Sequence, residues 1–170
     1  MKSLWAPWRL PYLKGKKPDH CIFCLGPGRR ITSDDHRRHV LHRDRSTFVI
    51  MNAFPYSNGH LMVAPYRHVA DLDGLSPAVL GELMTVARRA IGVLRAIYKP
   101  EGFNIGFNLG KAAGAGIEEH LHLHIVPRWN GDTNFMSSVA DLRVIPEGLD
   151  HAYDELRPAF RRRMGVRRTR

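Results

Sequence analysis

The sequence predicts an α+β fold: a mainly antiparallel sheet of about five strands, one long helix and a second helix near the C-terminus. Three observations carry this. Apolar runs of strand length recur, and two of them, 46–51 and 60–65, face each other across a turn-rich connection. One strong helical periodicity occupies 77–98. Regular β-α-β alternation, the mark of a parallel sheet, is missing.

The elements follow in order. Residues 1–20 hold Trp5, Trp8, Pro7, Pro11 and a basic cluster from Lys14 to Lys17, a segment aromatic enough to pack on the body of the protein or on a partner subunit. Residues 25–45 are polar, with Gly26-Pro27-Gly28 as a turn signal, and read as a loop with one short strand around 39–42. Ser46-Thr-Phe-Val-Ile-Met51 and His60-Leu-Met-Val-Ala-Pro65 are two strands of a wide hairpin. Ser76-Pro77 is a helix start, Ser as N-cap and Pro at the first helical position. Val79, Leu80, Leu83, Met84, Ala87, Ala90, Ile91, Leu94 and Ile97 then recur at helical spacing until Pro100 ends the run. Residues 103–108 read as a strand, 110–116 as a small-residue loop, and 139–145 as a further short strand. A weak helix is expected over 150–163, broken or offset by Pro158.

The most informative stretch is His120-Leu-His-Leu-His-Ile-Val-Pro-Arg-Trp129. Strict alternation predicts a half-buried strand, with Leu121, Leu123 and Ile125 facing a core and three imidazoles in a row on the other face. A helix, at ~100° per residue, would turn His122 away from His120 and His124. Pro127 is expected to end regular pairing. A row of imidazoles is open to two readings, a metal patch or a nucleophile flanked by donors. Neutral imidazole is a competent nucleophile near pH 7 once its other nitrogen holds the proton on a neighbour. Such a row suits an electrophile with negative oxygens, such as a phosphate. The loop Gly114-Ala115-Gly116 just upstream can bring backbone N–H groups close to an anion.

Composition bounds the function classes. At 170 residues and 44% hydrophobic, the chain suits one domain, 1–170: an N-terminal segment 1–20, a core 20–130 and an extension 131–170. No apolar run approaches ~18 residues, so no membrane span is expected. The N-terminus lacks an apolar signal-peptide core, and a cytoplasmic protein is expected. A net charge of +10, from 26 Lys+Arg against 16 Asp+Glu, favours anionic partners. Arg161, Arg162, Arg163, Arg167, Arg168 and Arg170 crowd the end and read as a solvated terminus; with no recognition module, nucleic acid is not an expected partner. The two cysteines, Cys21-Ile-Phe-Cys24, read in a reducing compartment as a metal clip or a redox pair.

The pattern His120-φ-His122-φ-His124-φ-φ resembles the motif of the histidine-triad (HIT) family. The likeness extends to Cys21-x-x-Cys24, Asn52-x-x-Pro55, Gly59-His60 and Asn108-x-Gly110. Leu4-Trp-Ala-Pro-Trp-Arg9 and Pro127-Arg-Trp-x-Gly-Asp132-x-Asn134-Phe135 are similar to the branch that includes diadenosine tetraphosphate phosphorylases. The resemblance implies a HIT-like fold and a nucleotide hydrolase or transferase with a covalent nucleotidyl-histidine intermediate, acting on dinucleoside polyphosphates. Adenosine 5′-phosphoramidate hydrolysis and a non-catalytic nucleotide sensor are the alternatives. By position, His122 becomes the nucleophile, His124 and His60 hydrogen-bond the α-phosphate, Asn52 meets the ribose, and Asn108 and the loop Gly114, Ala115, Gly116 meet phosphate oxygens. The resemblance also implies structural Zn²⁺ on Cys21, Cys24, His68 and His120, with His20, His39 and His42 as lesser rivals, and a homodimer in which the long helix could take part. Trp129 is open to base stacking or to packing, and Lys111 to a distal phosphate or to solvent. One departure stands out: no hydroxyl occurs between Lys111 and His120, where relatives often place one beside the leaving group.

Overall fold

The computed structural model describes residues 21–132 and 145–164. Trp5, Trp8, the 14–17 basic cluster, His20, the 133–135 end of the extension motif, nearly all of the expected strand 139–145, and Arg167, Arg168 and Arg170 lie outside the described residues.

The elements are α1 (Ser33–Arg37), β1 (Val40–Arg43), β2 (Thr47–Met51), β3 (Leu61–Pro65), α2 (Pro77–Ile97), β4 (Gly102–Phe107), β5 (Leu123–Arg128) and α3 (Leu149–Met164). The strands form one five-stranded antiparallel sheet in the order β1-β2-β3-β5-β4. The expected α+β fold is the observed one.

Alternation decides which side chains go where. Val49, Met51, Leu61, Val63, Leu121, Leu123 and Ile125 enter the larger core under α2 and α3. Phe48, Ile50, Met62 and Ala64 point the other way and meet Phe23 and Leu25 from the start of the described chain. The sheet is therefore covered on both faces, and β2 and β3 are buried at every position rather than at every second one. The histidines share the second face, since His124 lies opposite Met62 in register.

Helix α2 starts as expected: the Ser76 hydroxyl accepts from the Val79 N–H, with Pro77 at N1. Leu83, Val86, Ala87, Ala90, Val93 and Leu94 are buried, so its apolar face is spent on its own sheet and on α3, while Met84 is exposed.

Four expectations are corrected. Residues 25–45 contain α1, started by a capping box between Thr32 and Asp35. The His strand begins at Leu123, leaving His120 and His122 in the approach to it, and all three imidazoles are buried rather than lining an open face. Pro127 does not end pairing, because Phe103 lies opposite it and β5 runs on to Arg128. Its carbonyl faces away from β4 and accepts from Ser57 Oγ at 2.7 Å, so the ladder with β4 needs no N–H there. Helix α3 runs unbroken through Pro158, which sits on the exposed side, where a released carbonyl can turn to water.

Candidate active site and metal centre

Two clusters meet at the start of β5. The first is built on His122. Its Nδ1 lies 2.8 Å from the His120 carbonyl oxygen, an acceptor only, so Nδ1 carries the proton and donates it. Nε2 is left with a lone pair. Burial lowers the basicity of the ring, partly offset by that carbonyl. Phe23 stacks on it with centroids 4.7 Å apart at 29°.

The neighbouring imidazoles form a directed chain. The backbone N–H of Tyr56 donates to His60 Nδ1 at 3.1 Å. His60 Nδ1 is therefore unprotonated, and Nε2–H donates to His124 Nδ1 at 3.0 Å. His124 must then carry its proton on Nε2. That atom lies 3.4 Å from Asn108 Nδ2, and the tautomer requires the side-chain amide to turn its oxygen there to accept the proton. The Tyr56 ring lies against both imidazoles, 4.7 Å from His60 and 5.9 Å from His124. Burial first, then the charges of His124 and His122, push His60 down to about 3. Burial first, then His122, pushes His124 down to about 4. Both rings are neutral at pH 7, and the chain ends in an N–H donor at Asn108, on the ring next to His122.

The sign of the resulting pH dependence is fixed. Both folded-state pKa values lie below the ordinary histidine value near 6.5, so below that pH the unfolded chain binds protons that the native state refuses. Stability is full above pH 6.5 and falls as the pH drops toward 4 and then 3. Between pH 7 and pH 5 each ring should cost about 2 kcal/mol. Urea unfolding at the two pH values measures this, and His60→Gln should flatten the profile.

The second cluster is metal-like. Cys21, Cys24, His68 and His120 each offer one ligand atom, all within 4.8 Å of one another. Cys21 Sγ and His120 Nδ1 are 3.4 Å apart, Cys24 Sγ and His68 Nδ1 3.2 Å, Cys24 Sγ and His120 Nδ1 3.8 Å. Thiolate and imidazole ligands ~2.3 and ~2.0 Å from a tetrahedral zinc stand roughly 3.3–3.8 Å from each other, so the set fits such an ion. The tautomer fits as well: His120 Nε2 donates to the Pro65 carbonyl at 2.9 Å, turning the Nδ1 lone pair toward the thiols. Burial, then the adjacent Cys24, push the Cys21 thiol upward. Both cysteines are free thiols.

The remaining expected residues fall as follows. Asn52 opposes His60 at the end of the β2–β3 ladder, its N–H on the His60 carbonyl and its Oδ1 accepting from Phe54 N–H at 2.9 Å. Gly114 has a left-handed φ of 84°, but the N–H groups of Gly114 and Ala115 bond back to Lys111 and Gly110 within a 3-10 turn. Gly116 is the first residue of the three outside those bonds. Lys111 is exposed in the same turn. Trp129 donates through Nε1 to the Tyr98 carbonyl and lines a cleft of about 460 Å³ with Tyr56, Asn58, Asn104 and Arg128, to the side of the histidines. His39 pairs with Asp150 and His42 lies beside Asp44, away from the thiols. Two site residues escaped the sequence reading, Phe23 and Tyr56. Phe23 had one signal, its place between the two cysteines. Tyr56 had its place in the same turn-rich connection, four residues ahead of His60.

Known proteins match this chain well. The family model described as HIT domain matches residues 34–131. A protein of Mycobacterium tuberculosis (strain CDC 1551 / Oshkosh) named AP-4-A phosphorylase is 38% identical over 152 residues, 86% of this chain and 78% of its own length. The bis(5′-nucleosyl)-tetraphosphatase (asymmetrical) of Schizosaccharomyces pombe is 33% identical over 93 residues, 55% of this chain and 50% of its own. Among solved structures, a zinc-bound histidine triad family protein from Mycobacterium smegmatis superposes with a TM-score of 0.64 at 30% identity, covering 84% of this chain and 94% of that one.

Proposed function

The chain belongs to the HIT domain family, and on that premise we propose that it is a nucleotidyl transferase or hydrolase that cleaves dinucleoside polyphosphates of the diadenosine tetraphosphate type. The observation that carries this is the tautomer pair: His122 with an Nε2 lone pair, and on the neighbouring ring His124 with its proton on Nε2, at Asn108.

In this mechanism His122 Nε2 attacks the α-phosphorus. The Nε2–P bond forms, the bridging P–O bond breaks, and its electron pair leaves with the departing nucleotide. His122 Nδ1–H stays on the His120 carbonyl and stabilises the charge that develops on the ring. His124 Nε2–H, with Asn108 nearby, donates to phosphate oxygens where charge accumulates. Asn52 serves the ribose, and Gly114, Ala115 and Gly116 border the phosphates. Phosphate or water then attacks the phosphorus, and the lone pair returns to Nε2, so one displacement becomes two. The missing loop hydroxyl fits this leaving group. A departing polyphosphate has its own pKa near 6 and leaves without being protonated, unlike the amine of a phosphoramidate. The AP-4-A phosphorylase relative favours phosphate as acceptor.

In the same reading Cys21, Cys24, His68 and His120 hold a structural Zn²⁺. A reducing cytoplasmic setting keeps both thiols available, and no helix among the described residues is long and apolar enough to cross a membrane. Residues 1–170 act as one domain. The exposed edge of β4, with Ile105 46% exposed, is the surface through which two copies join their sheets, and analytical ultracentrifugation should give twice 19.4 kDa.

The deciding experiment incubates the protein with diadenosine tetraphosphate with and without inorganic phosphate. ADP plus ATP, formed only with phosphate, is the expected result. AMP plus ATP without phosphate would make the enzyme a hydrolase by the same nucleophile. Two ADP without phosphate would overturn attack at the α-phosphorus, and no products alongside normal AMP binding would overturn turnover altogether.

A further inference from the structure

The loop between β2 and β3 carries the backbone N–H that sets the His60 tautomer, and it is held from the far side of the sheet. Gly59 adopts φ 70° and lies so close to α2 that a Cβ there would stand 2.8 Å from the Tyr98 ring. Ser57 Oγ anchors the loop to the Pro127 carbonyl. Asn58 Nδ2 donates to Glu147 Oε2, which also accepts from the Tyr98 hydroxyl at 2.9 Å. Glu147 Oε1 receives His151 Nδ1 at 2.6 Å. This carboxylate, 14% exposed and just ahead of α3, therefore joins three segments: the catalytic loop, the end of α2 and the start of α3. Glu147, His151 and Glu155 also cluster as acidic and imidazole groups do around an ion. Both Glu147 oxygens are already engaged by donors, however, so the group reads as a hydrogen-bond hub.

We propose that Glu147 is a positioning residue for the reaction, acting through Asn58 and Tyr98 to hold the Tyr56 N–H against His60 Nδ1. This rests on the assignment of His124 as phosphate donor. With the Tyr56 N–H in place, His60 can only carry its proton on Nε2, and His124 can only present Nε2–H. If the loop drifts, His60 is free to take the Nδ1–H tautomer. Its Nε2 then accepts from His124 Nδ1–H, and His124 is left with a lone pair where the phosphate needs a donor. Placement of a donor by about 1 Å is worth an order of magnitude or more in rate.

The test uses the full-length protein with ¹⁵N-labelled histidine. In the wild type, His60 and His124 should each show a single neutral tautomer protonated on Nε2. In Glu147→Ala, His60 should become a tautomer mixture, and kcat for diadenosine tetraphosphate should fall about tenfold with KM changed less than twofold. Glu147→Gln keeps an acceptor for Asn58 and should restore most of both signals. Asn58→Ala cuts the link at the loop end and should reproduce the Glu147→Ala spectrum if that variant folds poorly. An unchanged tautomer in Glu147→Ala and Asn58→Ala overturns the proposal, as does a loss of rate carried by KM alone. A wild type that leaves diadenosine tetraphosphate intact refutes the substrate instead, because the imidazole spectra decide the role of Glu147 without any turnover.

Discussion

His122→Ala should abolish turnover of diadenosine tetraphosphate, with kcat down about 10⁴-fold or more, while the circular dichroism spectrum and nucleotide binding persist. The size follows from the role: removing a nucleophile leaves only the positioning and charge stabilisation supplied by the rest of the site. The persistence follows from the surroundings. Among the described residues His122 bonds the His120 carbonyl, stacks on Phe23 and meets the His124 ring edge-on at 4.8 Å, and none of these partners belongs to the larger core. An alanine there removes an imidazole from the second face of the sheet and leaves β5 paired on both sides. Trapping a radiolabelled nucleotidyl adduct in acid-free gels should succeed for the wild type and fail for the variant. Turnover within tenfold of wild type in His122→Ala would sink the nucleophile assignment.

Cys21→Ser should lose zinc, from about one ion per chain to a small fraction, and lower Tm by roughly 10 °C, corresponding to about 3 kcal/mol at this chain length. Serine cannot supply a thiolate, and a three-donor remnant binds far more weakly. The loss matters because of what the clip carries. Phe23 stands between the two cysteines, 1% exposed, stacked on His122 and 5.4 Å from the His120 ring. Releasing the clip frees the ring that braces His122, so kcat should fall with the metal. His120 remains tied to the Pro65 carbonyl, so the strand itself should stay in place. Metal analysis of freshly reduced wild type that finds no zinc would refute the site outright.

Periodicity made much of the fold legible. The alternation at 120–125 sends Leu121, Leu123 and Ile125 into the larger core as expected, and Ser76-Pro77 starts the long helix. A period of two assigns side chains to faces but does not say what covers each face. The burial of all three histidines therefore went unread, since Phe23, about a hundred residues away in sequence, covers His120 and His122, and Tyr56 lies against His124. α1 was missed because its capping box uses Asp35 in place of the usual Glu or Gln, and because Asp35 gains its partner, Arg43, only on folding. Pro127 and Pro158 were read as breakers, yet Pro127 turns its nitrogen away from the β4 ladder, and Pro158 sits on the exposed side of α3, where the carbonyl it releases can turn to water. The tautomers were illegible in principle. They depend on which backbone group faces each ring nitrogen, and that is set by the loop at Tyr56 and by the His120 carbonyl.

The unequal cover of the two sheet faces has a dynamic consequence. One face is backed by two helices, the other by a short stretch around Phe23 and Leu25 with Ile31, Tyr66 and Ile117. A cover with so few buried neighbours can lift away without unfolding the rest, at a free energy well below that of global unfolding. Amide exchange should therefore run in two tiers: fast at 21–31 and slow in β2, β3 and α2. A bound ion raises both tiers by mass action, since local lifting and global unfolding alike destroy its site, but the lower tier is the one that sets how often the cover opens. Metal supply would then act as a rheostat on how long the His122 ring stays braced by Phe23.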